Sequence, residues 1–361
     1  MNILELTNFS AGACGVWMRA KQESELLSKR GYIVKIFSSN FVKGTYEIAP
    51  EKEMLGKIEI KRFPARKLGG ESFMKWDFES EALKFKPDII IAHSYRHPHT
   101  TLALKIKKKL KCKVFLVTHA PFMSDAQRSP LARLAVSFYD FFIGSRTLKQ
   151  FDKIIAITKW EIPYLKKLRI KKDKIAYIPN GIPIEFFTQK KSKEEKKVLF
   201  LGRISPIKDL ETLIKASKLL NNIKIEIVGP AEKNYLDKLN FLNSSSIIFL
   251  PPVYDIKNKI RKIDSARIFV LPSKRESMPQ SLIEAMVREK IVIASNNLGA
   301  RELIEEGKNG FLFEIGNEKQ LAEKISIALE RDFKKVRQQA RKSVEQFSWD
   351  KIIQKLEKLL N

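Results

Sequence analysis

The stretch LPSKRESMPQSLIEAM, Leu271–Met286, predicts the fold of the second half of this 361-residue chain. Its apolar start is typical of the end of a buried strand. The run that follows Pro279 predicts a helix, because proline suits a first helical turn. Glu276 then lies in the loop ahead of the helix, and Glu284 lies eight residues later, inside it. Since a helix N-terminus presents unpaired N–H groups and a partial positive charge, the junction predicts an anion site beside two carboxylates.

A second junction of the same kind stands about 70 residues earlier, in VLFLGRISPIKDLETLIKA, residues 198–216. The pattern predicts a strand over 197–202, a loop that holds Arg203 and Lys208, and a helix that starts near Asp209. A guanidinium fork and an ammonium group together suit phosphate oxygens, and carboxylates accept hydrogen bonds from hydroxyls. The two junctions therefore predict a sugar-nucleotide site. The alternatives are exposed ion pairs for the glutamates and a solvated basic loop for the cations.

These junctions belong to a series of motifs that carry a family resemblance. The series is LGRISPIKDLETLIKA, FLPPVYD (249–255), LPSKRESMPQSLIEAM, SNNLGARELIEEGKNGFLF (295–313) and FSWDKIIQKLEKLL (347–360). With them the chain resembles the retaining glycosyltransferases of the GT-B fold, specifically glycosyltransferase family 4 (glycosyl transferases group 1). The first half resembles that family mainly in layout, through YIPNGIP (177–183) and the opening strand and loop.

The resemblance implies an enzyme that moves a hexose-type sugar from a nucleoside-diphosphate sugar to a hydroxyl acceptor with retention of configuration. The donor would be a UDP- or GDP-sugar and the acceptor a glycan, a lipid-linked sugar or a small molecule. No metal and no other cofactor would be required. Two other classes stay open at this point: a sugar-nucleotide epimerase of similar fold, and a non-catalytic scaffold or nucleic-acid-binding protein.

The same resemblance, combined with the chemistry of the side chains, assigns expected roles. Arg203 and Lys208 would neutralise the departing diphosphate, where negative charge grows in the transition state. Glu276 would hold sugar hydroxyls, and Glu284 would accept hydrogen bonds from the ribose. The remaining donor-binding residues are expected to be Ser277, Met278, Pro279 and Gln280 at the helix start, with Val253 and Tyr254 beside the base.

Length and composition are those of a two-domain intracellular enzyme. The chain exceeds the size at which one core keeps growing, and 44% of its residues are hydrophobic. No apolar run reaches the ~18–20 residues of a spanning helix, and no signal-like region precedes the first predicted strand. Cys14 and Cys112 are too few for a disulfide framework. We expect a cytoplasmic protein, with peripheral association at the inner membrane face as an option.

Apolar β-branched runs alternate with helical patterns along both halves, which predicts α/β architecture with two Rossmann-like, doubly wound domains facing across a cleft. We expect an N-terminal acceptor-side domain over 1–187, a charged linker at 188–197, and a donor domain over 198–346. A final helix over 347–361 would pack back on the first domain. The predicted strands are 2–7, 32–37, 88–93, 113–118 and 153–157 in the first half, and 198–201, 224–228, 247–250, 268–271, 291–294 and 311–313 in the second.

The formal net charge of +27 is spread over both halves. A diffuse surplus, without basic clusters interleaved with stacking aromatics, argues against nucleic-acid binding. Two basic helical segments, 102–113 and 164–174, have apolar residues near helical spacing. They predict either a face that rests on an anionic membrane surface or ordinary amphipathic helices packed on a sheet.

All four histidines lie at or just beyond predicted strand ends, where open α/β sheets bind ligands. His119 is expected to face the cleft between the domains and contact the acceptor or the transferred sugar, as the matching histidine does in similar enzymes. His93 is expected near the same cleft, and a structural histidine is the alternative. We expect no metal site at His93, His97 and His99, because Pro98 interrupts the helix that would align them.

The segment SAGACGV, residues 10–16, follows the first strand and opens the first helix. Gly12 and Gly15 would let the backbone approach a diphosphate or an acceptor closely. The segment lacks a third glycine and differs from the double glycine common in the resembled family, since Ala11 occupies one of those positions.

Overall fold

The computed structural model describes residues 1–12, 14–69, 72–122, 129–190, 192–221, 223–242 and 246–360. The chain divides into two compact units. Unit 1 consists of Met1–Pro179 and the residues from Ile353 on, and unit 2 consists of Asn180–Ile352. The division therefore falls ahead of the segment 188–197 that the sequence predicts as a linker.

Unit 1 holds ten strands and six helices among its described residues. The strands are β1 Asn2–Thr7, β2 Ile33–Ser39, β3 Lys52–Leu55, β4 Ile58–Phe63, β5 Ala65–Gly69, β6 Phe73–Trp76, β7 Ile89–His93, β8 Lys113–Val117, β9 Lys153–Ala156 and β10 Ile175–Tyr177. The helices are α1 Gly15–Lys29, α2 Glu79–Phe85, α3 Pro98–Leu110, α4 Pro130–Tyr139, α5 Ser145–Leu148 and α6 Ile162–Lys167, with a π-helical turn Asp140–Gly144 joining α4 to α5.

Eight of these strands form one sheet in the order β10-β9-β8-β7-β1-β2-β4-β3, with β3 antiparallel to β4 and the other pairs parallel. Both faces of the sheet are covered. Leu4 and Leu6 of β1 belong to the core cluster that includes Leu104 of α3. Glu5, which strand alternation turns to the opposite face, lies beside Glu23 of α1. The strand order reverses between β1 and β7, so the loops after these two strands flank the ligand-binding crevice of such a sheet.

Among its described residues, unit 2 holds six strands and the remaining helices, the last of which crosses into unit 1 at Ile353. The strands are β11 Glu195–Leu201, β12 Ile225–Val228, β13 Ile247–Leu250, β14 Ala266–Leu271, β15 Ile291–Ser295 and β16 Phe311–Phe313. The helices are α7 Glu185–Thr188, α8 Leu210–Ser217, α9 Lys233–Leu242, α10 Ile256–Asp264, α11 Gln280–Val287, α12 Leu298–Leu303, α13 Glu318–Glu330, α14 Lys334–Val344 and α15 Trp349–Leu360.

The unit 2 sheet is parallel in the order β13-β12-β11-β14-β15-β16, which is the 3-2-1-4-5-6 order of a Rossmann sheet. Its switch point lies between β11 and β14. The loops that follow these two strands are the loops in which the sequence places Lys208 and Glu276. The last turns of α15 belong to unit 1, where Glu357 pairs with Arg30, the residue that follows α1.

The predicted α/β class, with two parallel doubly wound units, is confirmed. The structure adds β3–β6, residues 52–76, which the sequence reading leaves out because they are short and rich in charge. It also starts β11 at Glu195, inside the predicted linker, while Lys191 of that linker lies outside the described residues. In the two basic helical segments, Leu104 and Ile106 of α3 and Leu165 of α6 are buried, as in amphipathic helices packed on a sheet, whereas Tyr164 is 40% exposed.

Candidate active site

The loops after β11 and β14 of unit 2 lie against each other. The backbone N–H of Lys274 donates to the carbonyl of Ile207 at 2.9 Å. Between the two loops, the Lys208 ammonium donates to Glu276 Oε1 at 2.5 Å. Ser273 Oγ donates to the same oxygen at 2.6 Å. The predicted cation and the first predicted carboxylate therefore meet at the switch point of the sheet.

The loop that carries Glu276 is held in place by the segment after β15. Asn297 caps α12 through the N–H of Ala300 and donates from its amide to the carbonyl of Ser273 at 3.0 Å. Gly299 lies so close that a Cβ atom on it would stand 2.5 Å from the carbonyl oxygen of Glu276. Only a residue without a side chain allows this approach, so Gly299 determines how closely the Glu276 loop packs on α12.

The second carboxylate, Glu284, lies in the second turn of α11 and is buried. Lys259 of α10 donates to its Oε1 at 2.6 Å. In the described part of the chain, Glu284 Oε2 has no hydrogen-bond donor. A buried acceptor without a donor is costly, which makes this oxygen a ready partner for a ligand hydroxyl.

The N-terminus of α11 is open to an anion. Pro279 stands at the N-cap and provides no side-chain cap, so the first N–H groups of the helix lack a side-chain acceptor. Just before it, Met278 Sδ accepts a hydrogen bond from the N–H of Asn180 at 3.2 Å, which anchors this end of the loop. The amide nitrogen of Gln280 is buried and, within the described ranges, has no acceptor. The segment Ser277–Gln280 thus has donors to offer.

The other predicted donor-binding residues are less constrained. Arg203 is exposed, and no interaction of its side chain with another described residue is observed. Val253 packs against the edge of the unit 2 core, whereas Tyr254 is 75% exposed. The structure therefore brings Lys208 to Glu276 but leaves Arg203 and Tyr254 without a protein contact that would fix them.

Unit 1 contains a cavity of about 740 Å³ at its own switch point. It is lined by the loop after β1 and the loop after β7, and by His119 and Thr118 after β8. Lys43, Arg96 and two histidines line it, and no carboxylate is among the lining residues that the structure describes. Such a lining favours a ligand that carries negative charge or many hydroxyls. We call it the unit 1 cavity.

Gly12 and Gly15 are both exposed, and their approach to a ligand stays a prediction. A Cβ on Gly12 would stand 2.4 Å from the carbonyl oxygen of Lys43, so its glycine is also needed for packing against that loop. Gly15 begins α1 with open space around it, and neither glycine lines the cavity. Ala13, between them, lies outside the described residues.

His93 is also not a cavity residue, because it is 0% exposed and lies behind His119. His93 Nδ1 is 2.9 Å from His119 Nε2, and His93 Nε2 is 2.8 Å from Glu5 Oε2. Burial lowers the pKa of His93 to about 4 and that of His119 well below its usual value. Both imidazoles are therefore neutral near pH 7.

Glu5, Glu23 and His93 bring ligand atoms close enough for a metal ion. The Arg19 guanidinium, however, is already 3.1 Å from Glu23 in this fully buried cluster and supplies its positive charge. Burial raises the pKa of Glu5 to about 8 and that of Glu23 to about 7. The cluster is better described as a carboxyl pair that keeps a proton beside an arginine.

Several residues of these sites were not predicted. Ser273, Asn297 and Gly299 lie inside motifs that the sequence does single out, but nothing in those motifs says which strand ends become neighbours. Glu5 had a stronger signal, since a carboxylate inside the apolar strand NILELT cannot be exposed on a doubly covered sheet. Such a residue needs buried partners.

Comparisons with known proteins agree with this architecture. Residues 182–347 match the family model described as Glycosyl transferases group 1, and residues 14–186 match the model described as Glycosyltransferase Family 4. Together the two matches span both halves of the chain.

Individual relatives are distant but extensive. An uncharacterized glycosyltransferase, MJ1069, of Methanocaldococcus jannaschii is 26% identical over 83% of this chain and 81% of its own. A UDP-Gal:alpha-D-GlcNAc-diphosphoundecaprenol alpha-1,3-galactosyltransferase of Escherichia coli is 28% identical over 65% of this chain and 64% of its own. The solved structure of Anabaena HepE with UDP and glucose superposes with a TM-score of 0.76 at 17% identity, over 100% of this chain and 99% of that one.

Proposed function

The chain belongs to the family 4-like glycosyltransferases of the GT-B fold, and from that membership we propose that it transfers a hexose-type sugar from a nucleoside-diphosphate sugar to a hydroxyl acceptor with retention of configuration. The observation that carries the proposal is the contact between Lys208 and Glu276 at the switch point of the unit 2 sheet, beside the uncapped start of α11. We propose a UDP- or GDP-sugar as donor and no requirement for a metal or another cofactor.

In the proposed mechanism, donor binding exchanges the partners of the Lys208–Glu276 pair. The ammonium turns to the diphosphate, and the carboxylate accepts hydrogen bonds from sugar hydroxyls, so neither charge is left unpaired. Glu284 Oε2, which lacks a donor among the described side chains, receives one from the nucleotide ribose. Arg203 is exposed and free to swing onto the phosphates.

The reaction itself breaks the bond between the anomeric carbon and the diphosphate oxygen and forms a bond to the acceptor oxygen on the same face. The acceptor proton passes to the departing diphosphate. Negative charge grows on that diphosphate in the transition state, where Lys208, Arg203 and the N–H groups of α11 stabilise it.

The acceptor that we propose is a phosphate-bearing, lipid-linked sugar. The E. coli relative is named for a diphosphoundecaprenol acceptor, and the Lys43 ammonium in the lining of the unit 1 cavity suits a diphosphate. In the described part of the chain, no helix is both long and apolar enough to cross a bilayer. We propose a cytoplasmic protein in peripheral contact with the membrane that holds the acceptor.

The contact surface that fits this role is α4 with the turn that follows it, which we call the α4 face. None of the residues of α4 is buried. Its exposed apolar side chains are Leu131, Leu134, Phe138, Phe141, Phe142 and Ile143. Such a face would be costly in water but inserts at a lipid headgroup boundary.

Positive charge surrounds the α4 face. Residues 129–174 contain eleven Lys or Arg and four Asp or Glu. Three of the four acids are bonded inside unit 1: Asp140 to Arg96, Asp152 to Lys107, and Glu161 to Thr118. Arg169 lies 5.8 Å from the ring of Phe141, so basic groups reach the apolar residues themselves. This combination suits an anionic bilayer surface.

A transfer assay tests the proposed function. The purified chain is incubated with UDP- and GDP-sugars, each with diphosphate-lipid-linked and free glycan acceptors. We expect one donor to release its nucleoside diphosphate and to give a product of retained anomeric configuration. An inverted product contradicts the mechanism. An epimerised nucleotide sugar formed from the donor alone identifies the chain as an epimerase instead.

A further inference from the structure

A continuous row of polar side chains leads from the unit 1 cavity into the interior of the sheet. His119 lines the cavity, His93 lies behind it, and Glu5 lies behind His93, joined by contacts of 2.9 and 2.8 Å. His93 and Glu5 are each 0% exposed. Buried polar groups of this kind cost stability unless they are mutually satisfied, so a connected row that ends at a cavity calls for an explanation.

The row has two self-consistent arrangements of its protons. A neutral imidazole has one N–H and one bare nitrogen, so each contact fixes the next. If Glu5 Oε2 accepts from His93 Nε2–H, then His93 Nδ1 is bare, His119 Nε2–H donates to it, and His119 Nδ1 is bare. If Glu5 Oε2 carries the proton, every bond reverses and His119 Nδ1 becomes a donor.

The two remaining histidines do not have this freedom. His99 Nε2 lies 2.7 Å from the carbonyl oxygen of His93, and a carbonyl can only accept. His97 Nδ1 lies 3.0 Å from the amide nitrogen of Asn8, which can only donate. Whether His119 Nδ1 donates or accepts a hydrogen bond therefore depends on whether Glu5 Oε2, at the far end of the row, carries a proton.

The surroundings of Glu5 select the first arrangement. Glu5 Oε1 and both oxygens of Glu23 lack a hydrogen-bond donor among the described groups, although the two carboxyls are neighbours. One proton shared between Glu5 Oε1 and one oxygen of Glu23 satisfies those two oxygens and leaves a single negative charge, which Arg19, 3.1 Å from Glu23 Oε2, balances. Glu5 Oε2 then remains an acceptor for His93. The pKa values of about 8 and 7 for Glu5 and Glu23 agree with one retained proton near neutral pH.

We propose that Glu5 and His93 are positioning residues that hold His119 with a bare Nδ1 facing the unit 1 cavity, ready to accept a hydrogen bond from a ligand hydroxyl. The proposal rests on the transferase function of the preceding section. It makes the cavity selective, because a hydroxyl donates to this nitrogen, whereas an ether or carbonyl oxygen at the same place meets a lone pair. Among the described residues, His119 Nδ1 has no protein donor that competes with the ligand.

Several titratable and charged groups surround the row. Glu161 accepts from Thr118, the neighbour of His119, and burial raises its pKa to about 7, while Lys43 and Arg96 line the cavity. Glu5 comes from β1, Arg19 and Glu23 from α1, and His93 from β7, while His97 and His99 stand at the start of α3. Burial lowers the pKa of His97 to about 4 and that of His99 to about 3, so neither adds a charge near pH 7. The row therefore acts through the placement of protons and not through a change of charge.

The direct test is the tautomer of His119, read by NMR on protein labelled with ¹⁵N only at histidine. Four histidines give a spectrum simple enough to assign with single His→Gln variants. In the wild type at pH 7 we expect His119 to be protonated at Nε2 and bare at Nδ1. A wild-type His119 protonated at Nδ1 overturns the proposal without any variant.

Two substitutions at Glu5 separate positioning from mere packing. Glu5→Gln keeps an acceptor oxygen for His93 and offers its N–H₂ to Glu23, so the tautomer and the activity should persist. Glu5→Leu removes the acceptor, so His119 should become a mixture of tautomers. The kcat/KM of the Glu5→Leu variant should fall about 10-fold, which corresponds to the loss of roughly one hydrogen bond. A folded Glu5→Leu protein with an unchanged tautomer contradicts the proposal.

The tautomer readout needs neither donor nor acceptor, so it is independent of the proposed function. A chain with the expected tautomers and no transferase activity would contradict the function alone. Conversely, active wild-type and Glu5→Leu proteins with equal kcat/KM would contradict the positioning role while leaving the function intact.

Discussion

Lys208 and Glu276 are the residues on which the chemistry of the candidate site depends. Without ligand they hold each other at 2.5 Å, and each is at least partly shielded from water. Such a pair adds little stability by itself, because the removal of both ions from water offsets their attraction. In the proposed mechanism, the pair keeps an ammonium and a carboxylate at the same loop junction until a diphosphate and a sugar replace the partners.

Replacement of Lys208 by alanine should lower kcat/KM by about 100-fold or more, because the ammonium is used mainly where charge develops in the transition state. Steady-state kinetics with the donor identified by the transfer assay measures this effect. Lys215→Ala, an exposed lysine on the adjacent helix α8, is the matched control and should change little. Equal loss in both variants, or none in Lys208→Ala, contradicts the assigned role.

Because of Glu5, the free energy of unfolding should fall as the pH rises from about 6.5 to about 8. Its pKa is raised from 4.5 to about 8 in the folded state, so across this range the folded chain binds a proton that the unfolded chain has lost. The stability that this proton confers is present at lower pH and is lost as the pH rises through the pKa of Glu5 in the folded state. The window starts near 6.5 because the depressed histidines give the opposite slope below it.

Thermal unfolding midpoints at several pH values measure this dependence. Glu5→Gln should flatten the decline between pH 6.5 and 8, whereas Glu47→Gln, which removes an exposed carboxylate, should not. An identical decline in the wild type and in Glu5→Gln would contradict the role of Glu5 in this pH dependence.

Among the elements, the start of α12 determines where the Glu276 loop lies. Gly299→Ala places a methyl group within 2.5 Å of the Glu276 carbonyl and within 2.8 Å of the Ser277 carbonyl. Overpacking of this kind costs about 1–3 kcal/mol, and here it displaces a site loop. We expect a lower free energy of unfolding and a raised KM for the donor.

Gly15→Ala is the matched glycine control, because its Cβ meets open space at the start of α1. It should leave the donor KM unchanged and should not destabilise the protein. Denaturant unfolding and donor kinetics on both variants check the pair. A normal donor KM in Gly299→Ala would show that the loop does not depend on this contact.

The α4 face is an element whose exposed apolar residues need a partner. Replacing Leu134 and Phe138 by aspartate should abolish most binding to vesicles of anionic lipid, since it removes apolar insertion and adds negative charge. Ser137→Asp, at an exposed position of the same helix, changes the charge without removing apolar surface and should weaken binding only modestly. Co-sedimentation with anionic and neutral vesicles measures both. Equal binding by wild type and the double variant contradicts the membrane role.

Sequence reasoning succeeded for elements whose signal is local. The strand 247–250 and the strand 311–313 were predicted to the residue, and the helix after Pro279 starts at Gln280. The same reasoning placed Glu276 and Lys208 on two loops about 70 residues apart. It could not show that these loops touch, because the order of strands in a sheet follows from long-range packing that single-residue propensity does not encode.

Failures have the same origin. His93 ends a strand and looked like a ligand-facing residue, yet the side on which its ring is buried depends on α1, which packs against the sheet with Arg19 and Glu23. Gly12 packs against the backbone at Lys43, a contact that the sequence did not predict. In both cases the residue type was informative and the partner was not.

At the scale of the whole molecule, the chain repeats one design. Each unit is a parallel sheet whose strand order reverses once, and each reversal carries a distinct set of side chains: cations and histidines around the unit 1 cavity, and a Lys–Glu pair beside a helix N-terminus in unit 2. A transferase needs two such places, one for the acceptor and one for the donor.

The central claim is that the Lys208–Glu276 junction binds the diphosphate of a nucleotide sugar, and calorimetric titration with UDP and GDP tests it most directly. We expect the wild type to bind one of the two with a stoichiometry of one, and the Lys208→Ala, Arg203→Ala double variant to lose at least about 10-fold in affinity through the lost charge-assisted bonds. Absence of binding of either nucleotide to the folded wild type, or full affinity in the double variant, would contradict the account.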